Sequence, residues 1–186
     1  AMSTITIPAS VTSIGASAFW NVTELETITF SGTSTLTTIG SEAFRGVAAI
    51  TTIAIPASVT TIGYGVFQEC TRFASITFPG TSTLTAIPAN CFNGTALASI
   101  EIPASVSSID IAAFAVTTSL TTVTFGAGTS SLLTHPACFA AHPALQSIVI
   151  PPGITSIDTG AFQQCSLLTS ITFPGTSTLT AIPANC

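Results

Sequence analysis

Along the chain, short runs alternate apolar and polar residues, break, and begin again. The pattern Ile-x-[Ile/Phe] starts at Ile5, Ile28, Ile53, Ile76, Ile100, Val123, Ile148 and Ile171, at steps of 23, 25, 23, 24, 23, 25 and 23 residues. Alternation of this kind, as in LETITF (25–30), LASIEI (97–102) and LTSITF (168–173), predicts a strand with one buried face. A shorter extended piece follows each run, at VTSI (11–14), VTTI (59–62), LTAI (84–87) and ITSI (154–157). Pro and Gly stand between the two, in IPAS and FPGTS, and break any helix there. A phenylalanine then closes each unit, at Phe19, Phe44, Phe67, Phe92, Phe114, Phe139 and Phe162, within a short turn or helical piece such as 16–25.

A period in the twenties predicts a solenoid, each unit being one coil that can bury its apolar side only against its neighbours. Residues 1–186 are read as a single repeat domain of eight coils, starting near 5, 28, 53, 76, 100, 123, 148 and 171, the last cut short before its phenylalanine. Two coil types alternate. IPASVTSIGASAF (7–19) is the shorter and FSGTSTLTTIGSEAF (30–44) the longer, so the sequence repeats in coil pairs. ITFPGTSTLTAIPANC occurs at both 76–91 and 171–186, two pairs apart, which duplication of a coil pair explains. The pattern breaks off in mid-coil at Cys186, as in part of a longer array. Strands stacked in parallel ladders about 4.8 Å apart place Ile53, Ile55, Val59, Ile62, Val66 and Phe67 of the third coil in the core and line up the seven phenylalanines as one column.

SITIPASVTSIGASAF (core 5–19), GVFQECTRFASITF (65–78) and SITFPGTSTLTAIPANCF resemble the BspA-type leucine-rich repeats of treponemal and trichomonad surface proteins, and the likeness runs over nearly the whole chain. It implies a right-handed leucine-rich-repeat coil. The parallel β-sheet lies on the concave face, with short second strands and short helical or turn segments on the other side. It also implies a non-enzymatic cell-surface or secreted protein for adhesion or ligand binding.

Composition narrows the partners. Charged residues are only 5% of the chain and Arg45 and Arg72 are its only Lys or Arg, which argues against nucleic acid. Apolar runs are interrupted by Ser, Thr, Pro and Gly well short of a membrane-spanning length, so no insertion into a membrane is expected.

Candidate chemistry lies in columns. Thr4, Thr27, Thr52, Ser75, Ser99, Thr122, Ser147 and Ser170 precede the leading apolar residue of each strand, and Thr6, Thr29, Ala54, Thr77, Glu101, Thr124, Val149 and Thr172 follow it. Period-two alternation turns both columns away from the core. Such a hydroxyl-rich face suits a protein or carbohydrate ligand, and Glu26, Thr27, Thr29, Thr77, Glu101, Thr124 and Gln146 are the candidate contacts. Threonine also favours strands and stabilises ladders without any ligand. Two other readings stay open: ice binding through threonine ladders, and a structural spacer that self-associates end to end.

The remaining motifs are weaker. His135, Cys138 and His142 have zinc-ligand spacing but no fourth ligand nearby, so no metal or other cofactor is expected. Cys70, Cys91, Cys138, Cys165 and Cys186 are odd in number, and those in alanine-like slots read as buried thiols. The carboxylates Glu24, Glu26, Glu42, Glu69, Glu101, Asp110 and Asp158 form no close acid–base pair, and no enzyme is read from them. Asn21-Val22-Thr23 and Asn93-Gly94-Thr95 are glycosylation acceptor sequences, relevant only in a secreted eukaryotic protein.

Overall fold

The computed structural model describes residues 2–110, 112–127, 133–134, 139–155, 157, 159–173 and 175–184. Its strands, in chain order, are Thr4–Ile7 (β1), Ser13–Ile14 (β2), Thr27–Phe30 (β3), Thr38–Ile39 (β4), Thr52–Ala54 (β5), Thr61–Ile62 (β6), Ser75–Thr77 (β7), Ala86–Ile87 (β8), Ser99–Ile102 (β9), Ser108–Ile109 (β10), Thr122–Phe125 (β11), Leu133–Thr134 (β12), Ser147–Val149 (β13) and Ser170–Thr172 (β14). All pairings are parallel and join equivalent positions, as in Ile5 with Ile28, Ile53 with Ile76 and Val123 with Ile148. The chain is a parallel β-solenoid, a leucine-rich-repeat coil with one strand ladder on each of two sides.

The leading strands pair as β1-β3, β5-β7 and β9-β11-β13-β14. In each group a short coil pairs with the long coil after it, so the coil pair seen in the sequence is also a pairing unit. The second strands pair as β2-β4-β6 and β8-β10-β12. Their break has a chemical cause. Gly40, Gly63 and Asp110 each donate a backbone N–H to the isoleucine carbonyl of the preceding second strand, at 2.8, 2.8 and 2.9 Å. Pro88 holds the same place in the fourth coil and has no N–H to give. The breaks in the two ladders fall between different coils, so one ladder or the other ties every described junction.

The core runs the length of the stack. Ile53, Ile55, Val59, Ile62, Val66 and Phe67 are all buried. Column rings stack from Phe19 through Phe44, Phe67, Phe92 and Phe114 to Phe139, with successive centroids 5.4 to 5.9 Å apart. Phe162 is also buried. Phe73 adds a ring beside the column, 4.8 Å from Phe67. The duplicated sixteen residues show what stacking contributes. Ile87 is 0% exposed with coils on both sides, whereas its twin Ile182, in the last described coil, is 62% exposed.

On the third side the short segments, expected as turns or helical pieces, are turns. In the described coils the column phenylalanine is flanked two residues before and two after by left-handed residues: Ser17 and Asn21, Glu42 and Gly46, Gly65 and Glu69, Asn90 and Gly94, Ala112 and Val116, Gly160 and Gln164. Their φ values lie between 54 and 78°. Alternating right- and left-handed residues cannot continue a helix and turn successive N–H groups to one side. The N–H groups of Ser17, Phe19 and Asn21 donate to the carbonyls of Ser41, Ala43 and Arg45 in the next coil at 2.9, 2.8 and 2.8 Å. Glu42, Phe44 and Gly46 donate onward in the same way to Tyr64, Val66 and Gln68. From the first coil to the fifth this edge is a one-way ladder of turns, ending with Asn90, Phe92 and Gly94 donating to Ala112, Ala113 and Ala115.

Candidate functional site

The Ser and Thr hydroxyls fall into two classes. Several just before the second strands and in the connecting loops are spent on the backbone, whereas Thr12, Ser13, Thr33 and Thr85 are exposed and make no such bond among the described residues. Thr37 donates to the Thr12 carbonyl at 3.1 Å, Thr60 to that of Thr37 at 3.2 Å and Ser107 to that of Thr85 at 3.2 Å, each clamping one coil to the coil before. Thr35, Ser58 and Ser105 do the same at 2.7 Å with the carbonyls of Ala9, Leu36 and Leu84. On the leading strands the side chains of Thr27, Thr52, Ser75, Thr77 and Ser99 are exposed and have no hydrogen-bond partner among the described residues.

The ladder aligns most of the candidate contacts. Thr27 and Thr29 stand on the outer side of β3, in register with Thr4 and Thr6, and the Thr6 and Thr29 hydroxyls are 2.9 Å apart. Thr77 is paired with Ala54, and Glu101 with Thr124. Thr124 is half-buried and its hydroxyl lies 3.5 Å from the Ile100 carbonyl. Glu26 and Gln146 sit just before their strands and are exposed. Their place matches the inward parity, so they rim the row rather than stand in it. They are also five coils apart, about 24 Å at the ladder spacing. Glu101 carries a charge at a position where the other described coils have Thr, Ala or Val.

The position three after the column phenylalanine is valine in the first two coils (Val22 and Val47) and polar from the third coil on. Cys70 donates its thiol to the Phe44 carbonyl at 3.0 Å, and Cys165 to that of Phe139 at 3.2 Å. Thr95 donates to the Phe92 carbonyl at 2.8 Å and Thr117 to that of Phe114. His142 occupies the same place and is buried. Its Nδ1 faces the carbonyls of Phe139 and Ala140 at 2.9 and 3.0 Å, and its Nε2 that of Phe114 at 2.8 Å. Both nitrogens thus face backbone oxygen, and in a neutral imidazole the one that carries the proton makes the hydrogen bond. His135 and Cys138 lie outside the described residues, and no metal-holding cluster of His, Cys, Asp or Glu occurs among those described.

Cys70, Cys91 and Cys165 are free thiols. Burial pushes the Cys70 pKa up to about 12 and raises those of Cys91 and Cys165 as well. At neutral pH these are protonated packing groups, not nucleophiles.

Polar side chains on the turn edge bind one another. Arg45 donates to Glu42 at 2.8 Å and to Glu69 of the next coil at 3.0 Å. Asn93 donates to Asn90 at 3.1 Å, and Asn90 to the Tyr64 hydroxyl at 2.6 Å. The two acceptor sequences therefore differ. Asn21 and Thr23 are exposed, whereas Thr95 is buried with its hydroxyl on the backbone and Asn93 is half-buried. Among the described residues no helix is long and apolar enough to cross a membrane.

Comparisons with known proteins agree with this geometry. The pneumococcal vaccine antigen PcpA is similar to the chain with a TM-score of 0.72 at 24% identity, over 94% of this chain and 51% of that one. The T. pallidum leucine rich repeat protein gives a TM-score of 0.74 at 22% identity, over 90% of this chain and 78% of that one. The chain spans about half the length of PcpA, and at these identities the likeness is one of fold. No curated protein sequence matches it. The family model for the BspA type leucine rich repeat region matches residues 1–121 and 85–186, in 6 copies. With matched repeats over its whole length and a coil to match, the chain belongs to the BspA-type leucine-rich repeat family.

Proposed function

We propose that the chain is a non-enzymatic binding module of a cell-surface or secreted protein, and that it takes up a protein or carbohydrate ligand on its leading-strand face. The observation that carries this reading is the open face of the leading strands, where Thr27, Thr52, Ser75, Thr77 and Ser99 remain exposed to solvent in rows set by the ladder. A row of donors and acceptors about 4.8 Å apart, with one carboxylate at Glu101, can hydrogen-bond a ligand without reorganising. The family, whose members resemble this chain in fold, and the description of PcpA as a vaccine antigen support a surface setting.

The test is a variant with Thr27→Ala, Thr29→Ala, Thr77→Ala, Glu101→Ala and Thr124→Ala together, compared with the wild type on glycan and protein-ligand arrays. The variant should lose at least about tenfold in affinity for whatever the wild type captures, about 1.4 kcal/mol. Each exposed substitution should change stability by no more than about 0.5 kcal/mol. Equal capture by the two proteins would remove this face from the mechanism.

A further inference from the structure

The alternation of coil lengths does more than lengthen the repeat. Where the leading strand ends, the second and fourth coils each throw out a loop containing Gly-Thr-Ser-Thr (32–35 and 80–83), and the first, third and fifth coils pass by with Pro-Ala-Ser. A short coil therefore lies in a cleft between two long ones. One such cleft, of about 680 Å³, has Phe30, Gly32 and Thr33 of the second coil on one wall, Pro56 and Ala57 of the third on its floor and Pro79 of the fourth opposite. A second, of about 310 Å³, repeats the plan one coil pair on, with Phe78 and Gly80, then Pro103 and Ala104, then Gly126 and Ala127. Floor, wall and aromatic side recur at equivalent positions.

Two clefts one coil pair apart are separated by about 9.6 Å, twice the ladder spacing. A ligand lying along the stack and filling both must present the same group at that interval. A β-strand repeats a face about every 6.6 Å and would place its groups between the clefts. An α-helix returns the same side about every 5.4 Å, or about 10.8 Å over two turns, and its groups drift out of step with the clefts. A polyproline II helix has three residues per turn at a rise of about 3.1 Å, which returns the same side every 9.3 Å or so. Proline rings are also suited to a small apolar cleft with an aromatic wall, the usual way such helices are bound. Glu101 is the only charged residue lining either cleft, at the second, and Ala54 is its counterpart in the first. That asymmetry complements a single cationic side chain at one end of the ligand.

We propose that these clefts form a docking site for an extended proline-rich segment of a partner protein, with prolines three residues apart and one Arg or Lys over Glu101. The site lies beside the strand row and shares only Thr29 and Glu101 with its candidate contacts, so it stands or falls separately from the proposed function. The probe is a fluorescent, capped peptide of three Pro-Pro-Ala units with one arginine at its amino end or its carboxyl end, titrated against the whole chain and read by anisotropy. Controls are the same peptide with glutamine for arginine, a Gly-Ser peptide of equal length and charge, and a β-1,4-linked glucose hexamer as competitor.

One arginine peptide should bind saturably. Ala57→Phe and Ala104→Phe, each filling the floor of a cleft from an exposed position, should each weaken it at least about tenfold. Their folding is confirmed by circular dichroism and melting. Glu101→Gln should abolish a preference of roughly twofold to fivefold for arginine over glutamine, the size of an exposed ion pair. The Thr27→Ala, Thr77→Ala double variant should bind the peptide normally even if the strand row proves idle. Equal binding of the Gly-Ser peptide, indifference to both phenylalanine variants, displacement by the hexamer, or no binding of either arginine peptide would overturn the proposal.

Discussion

Phe67→Ala lowers the unfolding free energy by about 3–5 kcal/mol, a loss to be read from urea titration followed by circular dichroism. Phe67 is fully buried and stacks on Phe44, Phe92 and Phe73, with centroids 5.7, 5.9 and 4.8 Å away. Truncation removes the ring from water-free surroundings and leaves a cavity that two fixed strand ladders cannot collapse into. It also forfeits aromatic pairs worth about 0.5–1.5 kcal/mol each beyond burial, which places the expected value in the upper half of the range. In a solenoid each coil touches only its neighbours, so the damage falls on the third and fourth coils and should uncouple those before from those after. The transition should broaden or split as well as move. Phe19→Ala, at a half-buried ring stacked on one side only, should cost markedly less. A loss under about 1 kcal/mol at Phe67 would mean that the column is not a continuous packed core.

The second large effect comes from a single methyl group. Gly63→Ala should destabilise by at least the upper part of the roughly 1–3 kcal/mol expected of overpacking, while Gly15→Ala, at the equivalent position of the first coil, should be neutral or slightly stabilising. A Cβ on Gly63 would lie 2.7 Å from Ser41 Cα and 2.8 Å from the Gly40 carbonyl carbon, and closer still to the Ser41 nitrogen. These are backbone atoms of the preceding coil, held in the ladder by Gly63 N–H to the Ile39 carbonyl at 2.8 Å. They cannot swing aside as a side chain would. At Gly15 a Cβ would meet nothing within 4 Å. Thermal melts of the two variants side by side provide the check, and equal stability of the pair would contradict the close approach of the second and third coils.

Much of this was legible because a repeat compares the chain with itself. The leading strands begin within a residue of the pattern, and the six apolar residues of the third coil are all in the core. The phenylalanine column follows from spacing alone. The turn ladder was hidden. Its left-handed positions are Gly or Asn at Gly46, Gly65, Asn90, Gly94 and Gly160, but Glu at Glu42 and Glu69, Ala at Ala112 and Val at Val116. Cross-coil hydrogen bonds from the Glu42 and Glu69 N–H groups hold these residues in a conformation they do not prefer, and local propensity carries no trace of that. Spacing around the phenylalanine left a turn and a helical piece both open for the same reason.

The site was half legible. Period-two alternation placed Thr27, Thr29, Thr77, Glu101 and Thr124 on one outer face, and the paired strands put them there in register. The same letters also serve as clamps. Nothing in the sequence separates Thr37, spent on the Thr12 carbonyl, from Thr27, which faces solvent, because the difference lies in which backbone oxygen the next coil brings near. The cysteine spacing left the partners of Cys70 and Cys165 open. They are the carbonyls of Phe44 and Phe139 in the preceding coil, whereas Thr95 and Thr117 in the same column bond the phenylalanine carbonyl of their own coil and His142 faces both.

Every functional statement above depends on coils that stack in register, and contacts between the rings of the phenylalanine column measure that directly. With phenylalanine selectively labelled, nuclear Overhauser spectra should connect Phe44 with Phe67, Phe67 with Phe92 and Phe92 with Phe114, whose centroids are 5.7, 5.9 and 5.4 Å apart. Amides in the same coils should be slow to exchange. Absent ring-to-ring cross-peaks, with rings in free contact with water, would contradict the stack and remove the geometry of both proposed binding surfaces.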